Sequence, residues 1–334
     1  MTQQYDVYAI GNALVDTEIE VSDAFLETMD IGKGMMTLVD KERQMALLDA
    51  LREQADPHSQ TCGGSAANTI IATRYFGGST FYTCRVANDD TGELFVQALT
   101  AAGVDTNMTG ARPEGVSGTC LVMVTRDAER TMNTFLGISE TVSSDDIDEA
   151  ALRASRYAYI EGYLVTSPSG RAATIRLREL ARQHGVQVAM TFSDPAMVRF
   201  FRDGLLEMIG DGVDLLFCNE DEARDFTDTD SADAALAALK TYSHKVVMTR
   251  GADGALAWDG ETLHTIAGVP VTAVDTNGAG DMFAGAFLYG ITQGHDFATA
   301  GRLASHAAAQ VVSDFGPRLT PEAHLAVRRQ VLGQ

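Results

Sequence analysis

Residues 266–290 read IAGVPVTAVDTNGAGDMFAGAFLYG, a run of β-branched residues followed by small residues and then by an apolar segment. The first part, up to Val274, predicts an extended segment interrupted by Pro270. After Asp281, the apolar residues recur at the spacing of a helix. The small residues between the two parts predict a tight turn that opens directly into a helix N-terminus, where backbone N–H groups lack partners within the helix.

The turn Asp275-Thr-Asn-Gly-Ala-Gly-Asp281 has the composition of an anion site. The N–H groups of Gly278, Ala279 and Gly280 would converge at the positive end of the helix, with the Asp281 carboxylate beside them. An anion site next to a carboxylate suggests phosphoryl transfer to a hydroxyl group, with the aspartate accepting the proton. A capped helix after a glycine turn explains the same residues without any chemistry. The stretch alone leaves both interpretations open.

Composition excludes several classes of function. The chain has 334 residues and is 45% hydrophobic, which is enough for one large α/β domain. No apolar run approaches the roughly 20 residues that cross a bilayer, and no charged-then-apolar leader begins the sequence, so we expect neither a membrane nor secretion. Four widely spaced cysteines predict free thiols in a reducing cytoplasm. The net charge of −21 argues against a nucleic-acid partner.

The order of predicted elements indicates a mostly parallel sheet with a small attachment. From Tyr157 onward, strands and helices alternate, which favours a parallel sheet covered on both faces. Residues 17–21 and 35–39 predict short strands, and 117–125 with 130–136 predict a hairpin that pairs with them. A helix is predicted over 41–55. We therefore expect one domain over 1–334, with a lid inserted from about 17–40 and 112–137.

Several polar residues follow predicted strands, and the carboxyl ends of parallel strands share one edge of a sheet where ligands bind. We expect them to lie together there; they are Asn12, Asp16, Thr191, Asp194, Asn219, Glu222, Thr249 and Asp281.

Three features of the sequence, which are a glycine pair with an asparagine, an aspartate and an Asn-x-x-Glu motif, have two interpretations each. Gly63-Gly64 with Asn68 predicts either the polar floor of a pocket for a hydroxylated substrate or a turn that packs tightly against the sheet. Asp16 could accept two sugar hydroxyls or act as a cap. Asn219-x-x-Glu222 could help to hold Mg²⁺ through water or form a capping box.

Four motifs in this order resemble the ribokinase-like (PfkB) family of carbohydrate and nucleoside kinases over nearly the whole chain. They are CGGSAANTIIATRYFGG, NEDE, VVMTRGADGALAW and DTNGAGDMFAGAFLYG. Within the family, GNALVD, Asn277 and the segment RTMNTFLG at 130–137 resemble adenosine kinases most. The resemblance implies a three-layer α/β/α fold with a mostly parallel central sheet and a small β-sheet lid.

The resemblance also implies roles for individual residues. Asp281 would be the catalytic base, and Gly278, Ala279 and Gly280 would form the anion hole. The substrate would be bound by Asn12, Asp16, Gly63, Gly64, Asn68, Asn277 and Asp281. ATP would be bound by Asn219, Thr249, Gly251, Gly278, Gly280, Ser305 and Ala308. Glu222 would support Mg²⁺ through water, and Asp275 with Asn277 would belong to a monovalent-cation loop. Potassium activation varies among members of the family, so potassium stays open.

The function implied by the resemblance is ATP-dependent, Mg²⁺-assisted phosphorylation of a small molecule, with adenosine as the first expectation. One alternative is a kinase for a free sugar (ribose, fructose or a keto-sugar acid) or for inosine or guanosine. A less expected alternative is a non-enzymatic ligand-binding regulator on the same fold. Two features depart from the family or give no guidance: Arg250 stands where many members have an aliphatic residue or lysine, and 17–40 matches no known sugar specificity. The sequence leaves open a monomer or a homodimer.

Overall fold

A computed structural model describes residues 4–52, 59–127 and 129–333. In these ranges the chain forms two β-sheets and a set of helices. The strands are β1 (Tyr5–Ile10), β2 (Leu14–Glu20), β3 (Met36–Leu38), β4 (Ser59–Gly63), β5 (Thr80–Thr83), β6 (Asp105–Thr106), β7 (Gly118–Val124), β8 (Arg130–Phe135), β9 (Ser155–Ile160), β10 (Gln187–Thr191), β11 (Val213–Asn219), β12 (Ser243–Thr249), β13 (Ala255–Trp258) and β14 (Leu263–Ile266).

The α-helices alternate with these strands. They are α1 (Asp23–Thr28), α2 (Lys41–Arg52), α3 (Ser65–Phe76), α4 (Asp90–Ala102), α5 (Glu149–Arg153), α6 (Pro168–His184), α7 (Pro195–Ile209), α8 (Glu220–Thr227), α9 (Ala232–Leu239), α10 (Ala279–Thr292), α11 (Phe297–Val312) and α12 (Pro321–Leu332).

The larger sheet runs in the order β14-β13-β12-β11-β10-β9-β1-β5-β6. Strands β12 through β6 in this order are parallel, and the hairpin β13–β14 closes one end in antiparallel fashion. In β1, Val7 and Ala9 belong to one hydrophobic core and Tyr8 and Ile10 to the other, because successive side chains of a strand point to opposite faces. Helices cover both faces, which gives the predicted three layers.

One core contains side chains of α3, α4, α10, α11 and α12, and the opposite core contains side chains of α5 to α9. Helix α3 and helix α10 therefore lie on the same face of the sheet. This places the two glycine-rich motifs next to each other in space, although more than 200 residues separate them along the chain.

The smaller sheet, called the lid here, runs in the order β3-β8-β7-β2-β4. The predicted hairpin is confirmed as β7 and β8, and it pairs with β2 and β3 as expected. One face packs on α1 and α2 through Ile19, Phe25 and Leu47. Strand β4 was not predicted; it pairs with β2, so residues 59–63 also belong to the lid.

The extended segment predicted before the glycine turn forms no strand. Strand β14 ends at Ile266, and residues 267–278 have no regular secondary structure. Val271 and Val274 are exposed, because this segment crosses from the sheet edge to α10 without a neighbouring strand. It is held by N–H groups of Val274 and Asp275, which donate to the Val312 carbonyl.

Two further observations bear on the sequence-based expectations. The four cysteines are buried and unpaired. Among the described residues, the helices are all too short or too polar to span a bilayer. The end of the helix predicted over 41–55 lies partly outside the described residues, since α2 is described as far as Arg52.

Candidate active site

The turn before α10 opens directly into the helix, as predicted. Gly278 caps the helix with a left-handed backbone (φ 70°), and α10 begins at Ala279. A Cβ atom at Gly278 would lie 2.3 Å from the Pro317 carbonyl oxygen, so this position requires glycine for both conformation and space. The N–H group of Ala279 makes only a long 3.4 Å bond to the Thr276 carbonyl. The first N–H groups of the helix thus lie beside Asp281, the third residue of α10.

Two side chains of helix α3 donate hydrogen bonds to the Asp281 carboxylate, one to each oxygen. Ser65 Oγ donates to Asp281 Oδ1 at 2.6 Å, and Asn68 Nδ2 donates to Asp281 Oδ2 at 3.0 Å. Burial raises the pKa of Asp281, while these two hydrogen bonds and the positive charges of Arg130 and Arg318 oppose the rise. Ser65 was not predicted, although its place at the first position of α3 was a usable signal.

Two cavities meet at Asp281, between the carboxyl ends of the large sheet and the lid. The first, of about 230 Å³, has polar and apolar walls. The second, of about 200 Å³, lies towards β10, β11 and β12 and includes Thr191, Asn219 and Thr249. Both cavities share Ser65, Arg130, Ser193, Asn219, Glu222, Gly280 and Asp281. The predicted edge of the sheet therefore does bring these strand-end residues together.

Asn12 follows β1 and lines the first cavity, but its side chain is engaged by the protein. Its Nδ2 and its backbone N–H donate to Glu161 Oε1, at 2.9 and 3.1 Å, and its Oδ1 accepts from Ser139. Glu161 Oε2 accepts from the N–H group of Ala66 in α3. Burial raises the pKa of Glu161 to about 7, and the backbone donors Ala66 and Asn12 oppose this. Sequence patterns did not mark Glu161, the residue that follows β9.

Asp16 lies inside strand β2 of the lid, which corrects the expectation that it follows a strand of the large sheet. It is opposite Thr61 of β4 and Cys120 of β7. The alternation of Leu14, Asp16 and Glu18 places all three on one face, so two carboxylates follow a leucine on this face of the strand. Asp16 is 6% exposed and lines the first cavity. Burial raises its pKa to about 7, and the charge of Arg318 opposes this.

Gly63 and Gly64, which precede α3, pack against Asp16 and Asn12. A Cβ atom at Gly63 would lie 2.1 Å from the Asp16 carboxylate, and one at Gly64 would lie 2.3 Å from the Asn12 carbonyl oxygen. Asn68, which we expected beneath a substrate, donates to Asp281 and accepts from Arg318 Nη1 at 2.7 Å.

The Asn219–Glu222 pair forms the capping box that was one of its two interpretations. Asn219 Oδ1 accepts from the Glu222 N–H at 2.7 Å, and Glu222 Oε2 accepts from the Asn219 N–H at 2.9 Å. The cap does not exclude the other interpretation, because Glu222 lines both cavities. Glu222 is 4% exposed, and burial raises its pKa to about 8.

The residues predicted to border ATP are only partly gathered at the cavities. Thr249, the last residue of β12, lines the second cavity. Gly251, Ser305 and Ala308 do not line either of the two cavities. Ser305 donates to the Ala267 carbonyl at 2.8 Å. Arg250, which departs from the family, pairs with Glu220 at 2.9 Å.

The predicted monovalent-cation residues have protein partners. Asp275 accepts from the N–H groups of Asn277 (2.9 Å) and Gly316 (3.0 Å). Asn277 Nδ2 donates to Glu18 of β2 at 3.1 Å, and its Oδ1 accepts from Arg130 Nη1 of β8 at 2.7 Å. Both side chains are thus used within the protein, and potassium gains no support from them.

Within the described ranges, no three His, Cys, Asp or Glu side chains are grouped as a metal site. Mg²⁺ usually keeps several waters and binds one or two carboxylates together with substrate phosphates. Glu222 has the chemistry for that role, being a carboxylate at the junction of the two cavities.

The model of the pfkB family carbohydrate kinases matches residues 28–323. The chain belongs to the PfkB family. A crystal structure of adenosine kinase from Sinorhizobium meliloti has a TM-score of 0.92 at 33% identity and covers 98% of this chain and 99% of that one. The probable sugar kinase from Rhizobium etli also has a TM-score of 0.92, at 32% identity, with 99% and 100% covered. Adenosine kinase from Saccharomyces cerevisiae is 27% identical over 94% of this chain and 96% of its own.

The chain is therefore a phosphotransferase with an alcohol group as acceptor. It belongs among the ribokinase-like nucleoside or sugar kinases. The ribokinase-like fold expected from the sequence is confirmed. ATP use follows from the kinase family.

Proposed function

We propose that this PfkB kinase transfers the γ-phosphoryl group of ATP to the 5′-hydroxyl of a ribonucleoside, with adenosine as the first candidate and AMP as its product. The observation that carries this choice is the lid wall of the first cavity. The lid residues that line the cavity include six apolar side chains beside the polar Asp16, Arg130 and Thr134; they are Leu14, Met36, Leu38, Cys120, Met132 and Leu136. A free sugar offers hydroxyls in every direction, whereas an aromatic base matches an apolar wall.

Polar side chains in the same cavity favour a ribose attached to that base. Asp16 of lid strand β2 and Asn12 after β1 line the first cavity, and Asp281 lies at the junction with the second cavity. A carboxylate has two oxygens that accept from neighbouring hydroxyls. We propose that Asp16 binds the ribose hydroxyls, so that the 5′-hydroxyl lies near Asp281.

The chemistry follows from what Asp281 and its neighbours do. Asp281 accepts the proton of the attacking hydroxyl, and the first N–H groups of α10 bind the charge on the transferred phosphoryl group. Glu222 would hold Mg²⁺ through water, and the ion would supply positive charge beside the phosphates. Closure of the lid excludes water from the cavity.

A coupled assay of ADP release tests the substrate. Adenosine, inosine, guanosine, ribose, fructose and a 2-keto-sugar acid are compared at matched concentrations. We expect the nucleosides, and adenosine first, to give the highest kcat/KM. A free sugar with the highest kcat/KM would make this a carbohydrate kinase of the same fold, and no ADP release with any compound would favour a ligand-binding regulator. The Rhizobium etli relative gives the sugar alternative its support.

The role of Asp281 is tested separately. Asp281→Asn should lower kcat by about 10²–10⁴-fold while substrate binding is retained, because loss of a general base costs about that much. Asparagine keeps the shape and can still accept from Ser65. Turnover near that of the wild type would contradict the proposed role, whichever nucleoside is used.

A further inference from the structure

Arg318, in the segment between α11 and α12, contacts Asn68, which lines the first cavity. Its Nη1 donates to Asn68 Oδ1 at 2.7 Å and also to the backbone carbonyl of Cys62 in β4. The guanidinium group thus joins the lid strand β4 to helix α3, next to the residue that holds Asp281.

The chemistry of a guanidinium group fixes the orientation of Asn68. Arginine carries only donors, so the Asn68 amide must turn its oxygen towards Arg318. Its nitrogen then faces the opposite side, where it donates to Asp281 Oδ2 at 3.0 Å. A flipped amide would present its oxygen to the carboxylate and repel it. One arginine therefore determines which end of Asn68 the carboxylate meets.

The segment that carries Arg318 packs against the turn 275–281, called the anion turn here. The preceding residue, Pro317, packs so closely beneath Gly278 that a Cβ atom there would lie 2.3 Å from its carbonyl oxygen. The same short segment thus supports the turn that carries the first N–H groups of α10 and the side chain that orients Asn68.

We propose that Arg318 is a positioning residue of the phosphoryl transfer, acting through the Asn68 amide to hold the Asp281 carboxylate as a proton acceptor. This inference rests on the proposed role of Asp281 as the general base. Arg318 lies outside the motifs that mark the family in this sequence.

Charged groups from several elements influence the pKa of Asp281. Arg130 of β8 and Arg318 lower it, whereas it interacts unfavourably with Asp16 of β2 and with Glu161 after β9. Tyr159 and Tyr163, which also sense its charge, stay neutral at working pH because burial raises their pKa values. Without Arg318, one arginine would face two neighbouring carboxylates. The acid limb of the kcat–pH profile should then move to higher pH.

The test compares Arg318→Met, which keeps the apolar stem, with Arg318→Lys, which keeps a donor for Asn68. Arg328→Met is the matched control, because Arg328 also donates to a backbone carbonyl, that of Phe76, but its other partner is the Tyr289 hydroxyl and not Asn68. Steady-state rates are measured from acid to alkaline pH, with the substrate found in the screen and with Asp281→Asn alongside. A melting temperature reports whether each variant folds.

We expect Arg318→Met to lower kcat by on the order of 10²-fold, as for a misplaced catalytic group, with a smaller change in KM and an acid limb at higher pH. Arg318→Lys should regain much of kcat, and Arg328→Met should behave as the wild type in kcat and pH profile. Wild-type kcat and pH profile in Arg318→Met would overturn the inference, as would equal losses in the Lys and Met variants. If Arg318→Met does not fold, the Lys variant decides by its pH profile. Turnover retained in Asp281→Asn would instead reject the general base itself.

Discussion

At the scale of single residues, Asp16 should make substrate binding depend on pH. Burial raises its pKa to about 7, so below that value it is protonated and donates to a hydroxyl instead of accepting. We expect KM for the nucleoside to rise as pH falls below about 7. Asp16→Asn should have a high KM without this dependence. An unchanged acid limb in the variant would assign the limb to Glu161, whose pKa is also raised to about 7.

The same shift has a consequence for stability. A carboxyl group whose pKa is raised on folding favours its protonated form in the folded state, so the folded protein loses stability as pH rises from the unfolded pKa through the folded one. For Asp16 this window runs from 3.8 to about 7. Relative to Asp16→Asn, the wild type should become less stable across it, as measured by denaturant unfolding at several pH values.

Two substitutions of Glu222 separate its role as a helix cap from its proposed role in holding Mg²⁺. Glutamine preserves the capping box, because it can still accept from the Asn219 N–H, whereas alanine removes the cap. We expect Glu222→Gln to keep the melting temperature but to need more Mg²⁺ for half-maximal rate. Glu222→Ala should show the same Mg²⁺ effect and lose about 1 kcal/mol of stability besides.

The measurement is the rate against free Mg²⁺ at fixed ATP, together with thermal unfolding. An unchanged Mg²⁺ requirement in Glu222→Gln would leave this residue as a helix cap only. Because burial raises the pKa of Glu222 to about 8, Mg²⁺ affinity should increase with pH up to that value in the wild type but not in the glutamine variant.

At the scale of elements, the distance between α3 and α10 sets the geometry around Asp281. A Cβ atom at Gly285 would lie 2.5 Å from the Thr69 carbonyl oxygen, and Thr73 Oγ1 donates to the Gly285 carbonyl at 3.0 Å. Gly285→Ala should push the helices apart, cost about 1–3 kcal/mol and lower kcat, because Ser65 and Asn68 move away from Asp281.

Gly290→Ala is the matched control for this prediction. A Cβ atom there would lie 2.7 Å from Ala300 Cβ, so the substitution crowds the contact of α10 with α11 instead. Denaturant unfolding and kcat are measured for both variants. Gly290→Ala should lose stability but keep kcat. Equal losses of kcat in both would show that general destabilisation, not the α3–α10 distance, explains the effect.

Periodicity predicted the elements with strong patterns and missed those with weak ones. Strand β7 reads GTCLVMV and is mostly apolar, and strands and helices alternate from β9 onward, whereas β8 reads RTMNTF and was predicted from its place after the turn 126–129. Strand β4 reads SQTCG and has no such repeat, because it is defined by pairing with β2 and not by its own composition. The segment before α10 is rich in β-branched residues yet forms no strand, since no neighbouring strand pairs with it.

At the scale of the whole molecule, the sequence predicted a candidate reacting centre but not all of the residues that contact it. Asp281 and the glycine turn are carried by a contiguous motif. Ser65, Glu161 and Arg318 contribute through contacts between residues that lie far apart in the chain, so local patterns did not mark them. Asp16 was marked but misplaced, because a polar residue in a lid strand resembles one that ends a strand.

The single-domain organisation remains our proposal, with the lid extended to include residues 59–63. Three separate parts of the chain supply the lid sheet, and Arg318 joins one of them to helix α3. Because its strands come from three parts of the chain, we expect that the lid cannot be produced as one continuous fragment.

Asn277 ties the anion turn to the lid, since Glu18 of β2 and Arg130 of β8 both contact its side chain. We expect these contacts to be lost when the lid moves away from the turn, which would leave the turn less ordered. The protein would then be a poor ATPase until an acceptor closes it, which limits wasteful hydrolysis. Asn277→Ala removes these contacts even when the acceptor is bound, so it should lower the rate of nucleoside phosphorylation, measured as AMP formed at saturating acceptor. A rate equal to that of the wild type would show that the order of the turn does not depend on these contacts.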